Sequence, residues 1–88
     1  MNLSEYQAII EDMPLYDDLC YGVATEAGEV IDVIKKGSRP GREVDTSYLA
    51  EEIGDTVWYL TRLATKYNLS MELILQINVD KLNERHKK

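Results

Sequence analysis

A single cysteine, Cys20, stands in the 88-residue chain. An internal disulfide is therefore impossible, and nothing points to an oxidising compartment. No apolar run approaches the roughly 20 residues that cross a bilayer, and the opening MNLSEYQAII lacks the basic stretch and apolar core of a secretory signal. The expectation is a soluble, cytoplasmic protein without membrane partners. Basic residues are also scarce: ten Lys and Arg against sixteen Asp and Glu leave a net charge of −6. Clustered cations that release counterions from a phosphate backbone are missing, so no nucleic acid polymer is expected as a partner. The lone histidine, His86, lies in the tail and nothing pairs it with Cys20, which argues against zinc. Glu-x-x-His pairs of a di-iron bundle are absent, and the acids are not spaced as an EF-hand loop. A small polyanion stays open as a partner, provided a metal supplies the positive charge.

The sustained alternation of a half-buried strand is absent too. A 3.6-residue apolar period runs through nearly the whole chain instead, and predicts an all-α fold: a compact antiparallel bundle of about four helices in one domain, residues 1–88. Ser4, with Gln7 three residues on, has the form of a capping box for a first short helix that ends before Pro14. A second helix is expected from about Leu15 to Lys36, with Gly37 terminating it. After the loop SRPGREVDT, a third helix is expected from about Ser47 to Tyr67, stopping at Asn68. Ser70, between Leu69 and Ile74, reads as the N-cap of a fourth, stapled helix that runs into the basic tail. Connections this short favour antiparallel neighbours. A chain of this length buries only about 60–65% of its unfolded surface, which favours a homo-oligomer, dimer or tetramer.

On a helical wheel, Leu19, Cys20, Val23, Ala27, Val30, Ile31 and Ile34 share one face of the second helix, with Glu26 inside that face and Glu29 on its edge. In the third helix Leu49, Ile53, Val57, Leu60, Leu63, Ala64 and Tyr67 form the stripe. Glu52 lies at its edge, Asp55 further round, and Tyr59 between the two acids. Trp58 points almost opposite, which leaves open a second buried surface at a subunit interface or a partly exposed aromatic. Gly28 and Gly54 fall away from the core and suggest close approach of another helix or subunit. Each costs roughly 1 kcal/mol against alanine in a helix interior.

Residues three apart on a helix are neighbours, so Glu26 with Glu29, and Glu52 with Asp55, each project two carboxylates in one general direction. A carboxylate buried without a partner costs several kcal/mol unless it neutralises or meets a cation. Two such pairs on adjacent helices provide an all-oxygen donor set suited to Mg²⁺ or Mn²⁺; solvated acids in ordinary ion pairs are the plainer alternative.

EAGEVIDVIKKG, followed by EEIGDTVWYL, resembles the E-x-x-E and E-x-x-D signature of the MazG-like all-α nucleotide pyrophosphohydrolases, over about residues 19 to 85. The resemblance implies that Glu26, Glu29, Glu52 and Asp55 hold Mg²⁺. It also implies cleavage of a nucleoside triphosphate to monophosphate and pyrophosphate, in nucleotide-pool house-cleaning. NVDKLNER is similar to the family's terminal Asn-x-x-Lys-x-x-x-Arg element. Asn78, Lys81 and Arg85 share one stripe of the fourth helix and could meet a triphosphate, and Tyr59 matches a tyrosine that could pack on sugar or base. Lys35, Lys36, Arg39 and Arg42 could reach phosphates or serve only solubility. Glu51 and Asp32 either support the metal ligands or are simply exposed. The implied mechanism is water attack at the α-phosphorus, with Glu29 as the candidate base and Lys81 stabilising the departing pyrophosphate. The rivals are a non-catalytic nucleotide sensor and a helical interaction module.

Overall fold

The computed structural model describes residues 1–87. The described residues form four α-helices and no strand: α1 (Leu3–Ile10), α2 (Leu19–Gly37), α3 (Thr46–Lys66) and α4 (Met71–Arg85). The all-α expectation is met. No helix is long and apolar enough to cross a membrane among the described residues. The chain divides into two contact units, Met1–Met13 with Thr61–Lys88, and Pro14–Leu60.

In the first unit, α1 is capped by Asn2 rather than Ser4. The Asn2 side chain accepts the Glu5 N–H at 2.8 Å and the Glu5 carboxylate accepts the Asn2 N–H at 3.2 Å, a complete capping box two residues ahead of the expected one. Ser4 and Gln7 are thereby released for other contacts. The Ser4 hydroxyl donates to Glu72 at 2.5 Å. The Gln7 amide donates to the Thr65 hydroxyl at 3.0 Å and to the Leu69 carbonyl at 2.9 Å, and its oxygen accepts the Met71 N–H at 2.9 Å. One side chain thus ties α1 to the α3–α4 turn. Asn68 adopts a left-handed conformation at φ 58°, which asparagine tolerates, and ends α3 close to where its sequence position suggests. Ser70 caps α4 as expected, accepting the Leu73 N–H at 3.2 Å. Ile10, Ala64 and Met71 are buried around the fully buried Thr61.

In the second unit, α2 begins at Leu19, later than Leu15. The Asp18 carboxylate accepts the N–H groups of Cys20 and Tyr21 at 3.1 and 3.2 Å, which fixes the helix start there. Helix α2 ends at Gly37 as expected, but without a left-handed terminator, because Gly37 keeps a negative φ and Ser38 beyond it is right-handed at φ −86°. The lack of a side chain at Gly37 has a different cause: a Cβ there would stand 2.4 Å from the Val44 Cα, where the loop returns. Gly22 is equally constrained, because a Cβ would lie 2.2 Å from the Tyr59 ring. At Gly28 and Gly54 a Cβ would meet nothing of this chain within 4 Å, so the expected close approach does not come from the described residues.

The apolar stripes are covered only in part. Leu19 and Val33 are buried on α2, but Cys20 is exposed, and Ile31 is 65% and Ile34 45% exposed. On α3 Ala64 is buried, while Ile53 and Leu60 are exposed, as is Tyr67 just beyond its end. A wheel identifies the apolar side of a helix, whereas the neighbours determine which part of it is covered.

Candidate metal centre

Glu26 from the middle of α2, and Glu52 and Asp55 from adjacent turns of α3, bring carboxylate oxygens within 4.8 Å of one another. Glu52 is 8% exposed, Glu26 half-buried and Asp55 exposed. The Glu26 carboxyl is held above its ordinary value near 4.5 by burial first, then by a hydrogen bond with Glu52 and by the charges of Asp55, Glu52 and Glu29. Every charge acting on Glu26 is thus another carboxylate. Three hard oxygen donors without a compensating cation are the chemistry that a divalent ion such as Mg²⁺ satisfies, so the residues fit the group. Glu29, exposed one turn along α2, stands outside the three-residue cluster but close enough for its charge to act on Glu26.

Tyr48 was not legible as part of this site. It stands one turn before Glu52 on α3, where the charge of the Glu52 carboxylate, and then hydrogen bonding with it, push the phenol above its ordinary value. The i, i+4 spacing was the available signal. Tyr48 also lines a second cavity of about 250 Å³ with Lys36 and Arg42. Of the loop cations, Lys36 is engaged by Asp32 at 2.8 Å, which gives Asp32 a partner of its own.

A cavity of about 360 Å³ opens beside the cluster, lined by Tyr16, Glu26, Asp55, Trp58 and Tyr59. Trp58 and Tyr59 meet edge to face, 5.1 Å between ring centres and 79° between planes. Trp58 is therefore a half-buried wall of this cavity. Tyr16 precedes α2, in a segment expected to be the first turn of that helix. Asn78, Lys81 and Arg85 are exposed on α4, in the other contact unit.

Among the described residues, an all-helical scaffold brings one acid of α2 and two of α3 together as an oxygen-donor set that could hold a cation. More narrowly, residues 16–88 match the MazG nucleotide pyrophosphohydrolase domain, and the chain belongs to that family. The chain is also 30% identical over 101 residues to the Gene 37 protein of Mycobacterium phage L5, an alignment covering 97% of this chain and 89% of that protein. No solved structure matches it.

Proposed function

We propose that this chain is a Mg²⁺-dependent nucleoside triphosphate pyrophosphohydrolase, with Mn²⁺ as an alternative ion, acting in cytoplasmic nucleotide-pool house-cleaning. Water attacks the α-phosphorus, and monophosphate and pyrophosphate leave. The carrying observation is the convergence of Glu26, Glu52 and Asp55 within 4.8 Å in a chain of the MazG family.

Glu26, Glu52 and Asp55 would hold the cation, with Glu29 available from the next turn of α2. The chemistry that a divalent ion supplies in such a setting is charge neutralisation of the phosphates and acidification of a water. Glu29, exposed and free of the buried cluster, is the proposed base that takes the proton of the attacking water. Tyr48, whose phenol feels the Glu52 carboxylate, is assigned the role of orienting that donor. Asn78 is assigned a phosphate contact, and Lys81 with Arg85 the developing charge on pyrophosphate. Tyr59 borders the substrate.

The same reading includes a homodimer or homotetramer. The support is apolar side chains that a single chain leaves open: Ile31 and Ile34 on α2, and Leu73, Ile77 and Val79 on α4.

Incubation with a panel of ribo- and deoxyribonucleoside triphosphates and Mg²⁺ should yield monophosphate and pyrophosphate in equal amounts, with none after chelation. Glu29→Gln should lower turnover by about a hundredfold, the scale of a lost general base. Undiminished turnover in that variant would remove Glu29 from its role, and silence across the panel would overturn the hydrolase reading.

A further inference from the structure

The cavity beside the acids has two chemically different kinds of lining. Glu26 and Asp55 supply carboxylates, and Tyr16, Trp58 and Tyr59 supply aromatic rings. Carboxylates alone repel an anionic ligand, so binding at them depends on a cation. The aromatic lining can bind a flat ring whether or not a cation is present. The three rings are not equivalent. Tyr59 lies directly on the α2 backbone, with three of its ring atoms 2.2–2.6 Å from where a Gly22 Cβ would stand. Its orientation is therefore fixed by the helix. Trp58 stands nearly perpendicular to it, so the two make a corner in which a planar ring stacked on one presents its edge to the other. Tyr16, 88% exposed, borders the same space.

We infer that Trp58 is the stacking platform for the nucleobase, with Tyr59 as a fixed wall at the base's edge and Tyr16 bordering the open side. The inference rests on the proposed hydrolase reading, which assigns the phosphates to the carboxylates. The side chains lining the cavity are phenols, an indole and carboxylates, of which the rings offer stacking faces. Stacking is tolerant of base identity because every base has a π face. The enzyme therefore distinguishes a nucleotide from a bare polyphosphate more sharply than one base from another.

Trp58 is the chain's one tryptophan, so its fluorescence reports on this cavity without any turnover. With Mg²⁺ present, a non-hydrolysable nucleoside triphosphate should quench Trp58 emission, whereas inorganic tripolyphosphate should compete for binding without quenching. Trp58→Leu should raise KM for nucleoside triphosphates about tenfold, the scale of one lost base stack, with the loss falling on KM rather than kcat. The inhibition constant of tripolyphosphate should not move. Trp58→Phe, which keeps a ring, should recover part of the affinity, and far-UV circular dichroism establishes that both variants fold. Equal quenching by tripolyphosphate, or an unchanged KM in folded Trp58→Leu, overturns the stacking role while turnover by the parent protein leaves the hydrolase reading standing. Absence of both turnover and Mg²⁺-dependent binding in the parent protein overturns the two together.

Discussion

The two contact units group polar side chains in opposite ways. In the first, the Gln7 amide meets a hydroxyl, a carbonyl and an N–H, so donors and acceptors match and every group is neutral. In the second, Glu26, Glu52 and Asp55 set acceptor against acceptor and charge against like charge. Matched neutral groups recover the cost of leaving water and add to stability. Clustered carboxylates do not, and water, a retained proton or a cation has to relieve their repulsion. The first arrangement secures a helix junction; the second is a donor set that could hold a cation.

Substitution of the acids gives the sharpest test of that contrast. Glu52→Gln should lower turnover about a thousandfold, corresponding to several kcal/mol of lost charge stabilisation. Its melting temperature without divalent ions should be equal or higher, because one repelling charge is gone. A fall in both would mean that the carboxylate is structural. Gln7→Ala should behave conversely, costing about 2 kcal/mol by leaving the Met71 N–H and its neighbours unpaired, read as a lower urea midpoint, with kcat retained. Tyr48→Phe removes the hydroxyl from Glu52 and should weaken Mn²⁺ affinity about tenfold by calorimetry, the low end for loss of a group that orients a ligand. An unchanged affinity would show that Glu52 is held without it.

The smallest effect is expected from pH. The Glu26 carboxyl titrates above its ordinary value, so the folded chain keeps a proton there that the unfolded chain has already released. Stability is then full below about 4.5 and is lost as pH rises through the window above it. Melting temperatures measured without divalent ions should decline across that window, less so in Glu26→Gln, and added Mg²⁺ should offset the decline. Parallel curves for the two proteins would dissociate the proton from the cluster.

Helix number, the Ser70 cap and the stop at Asn68 were all readable, because they rest on local chemistry within a few residues. The α1 start was misplaced because two overlapping patterns, Asn2-x-x-Glu5 and Ser4-x-x-Gln7, both satisfy capping, and only the distant claim of the α3–α4 turn on Gln7 separates them. Helix α2 was drawn too long because Asp18 was not recognised as a cap. Glu26 was visible as an acid inside an apolar face, and Glu52 with Asp55 as a second pair three residues apart, at the edge of the α3 stripe and further round. Tyr16 and Tyr48 were not, since nothing marks a tyrosine as a neighbour of a carboxylate until the chain is folded.

Periodicity, capping residues and the misplaced acids are properties of adjacent residues, and the chain alone determined four helices and an acidic chemistry centred on two of them. The folded molecule decided that Glu26 meets Glu52 and Asp55 while Glu29 stays outside, that Gly22 makes room for the Tyr59 ring, and that Trp58 faces a cavity. Those outcomes depend on the separation and rotation of helices, which are set by side chains far apart in sequence and by the space each leaves for the other.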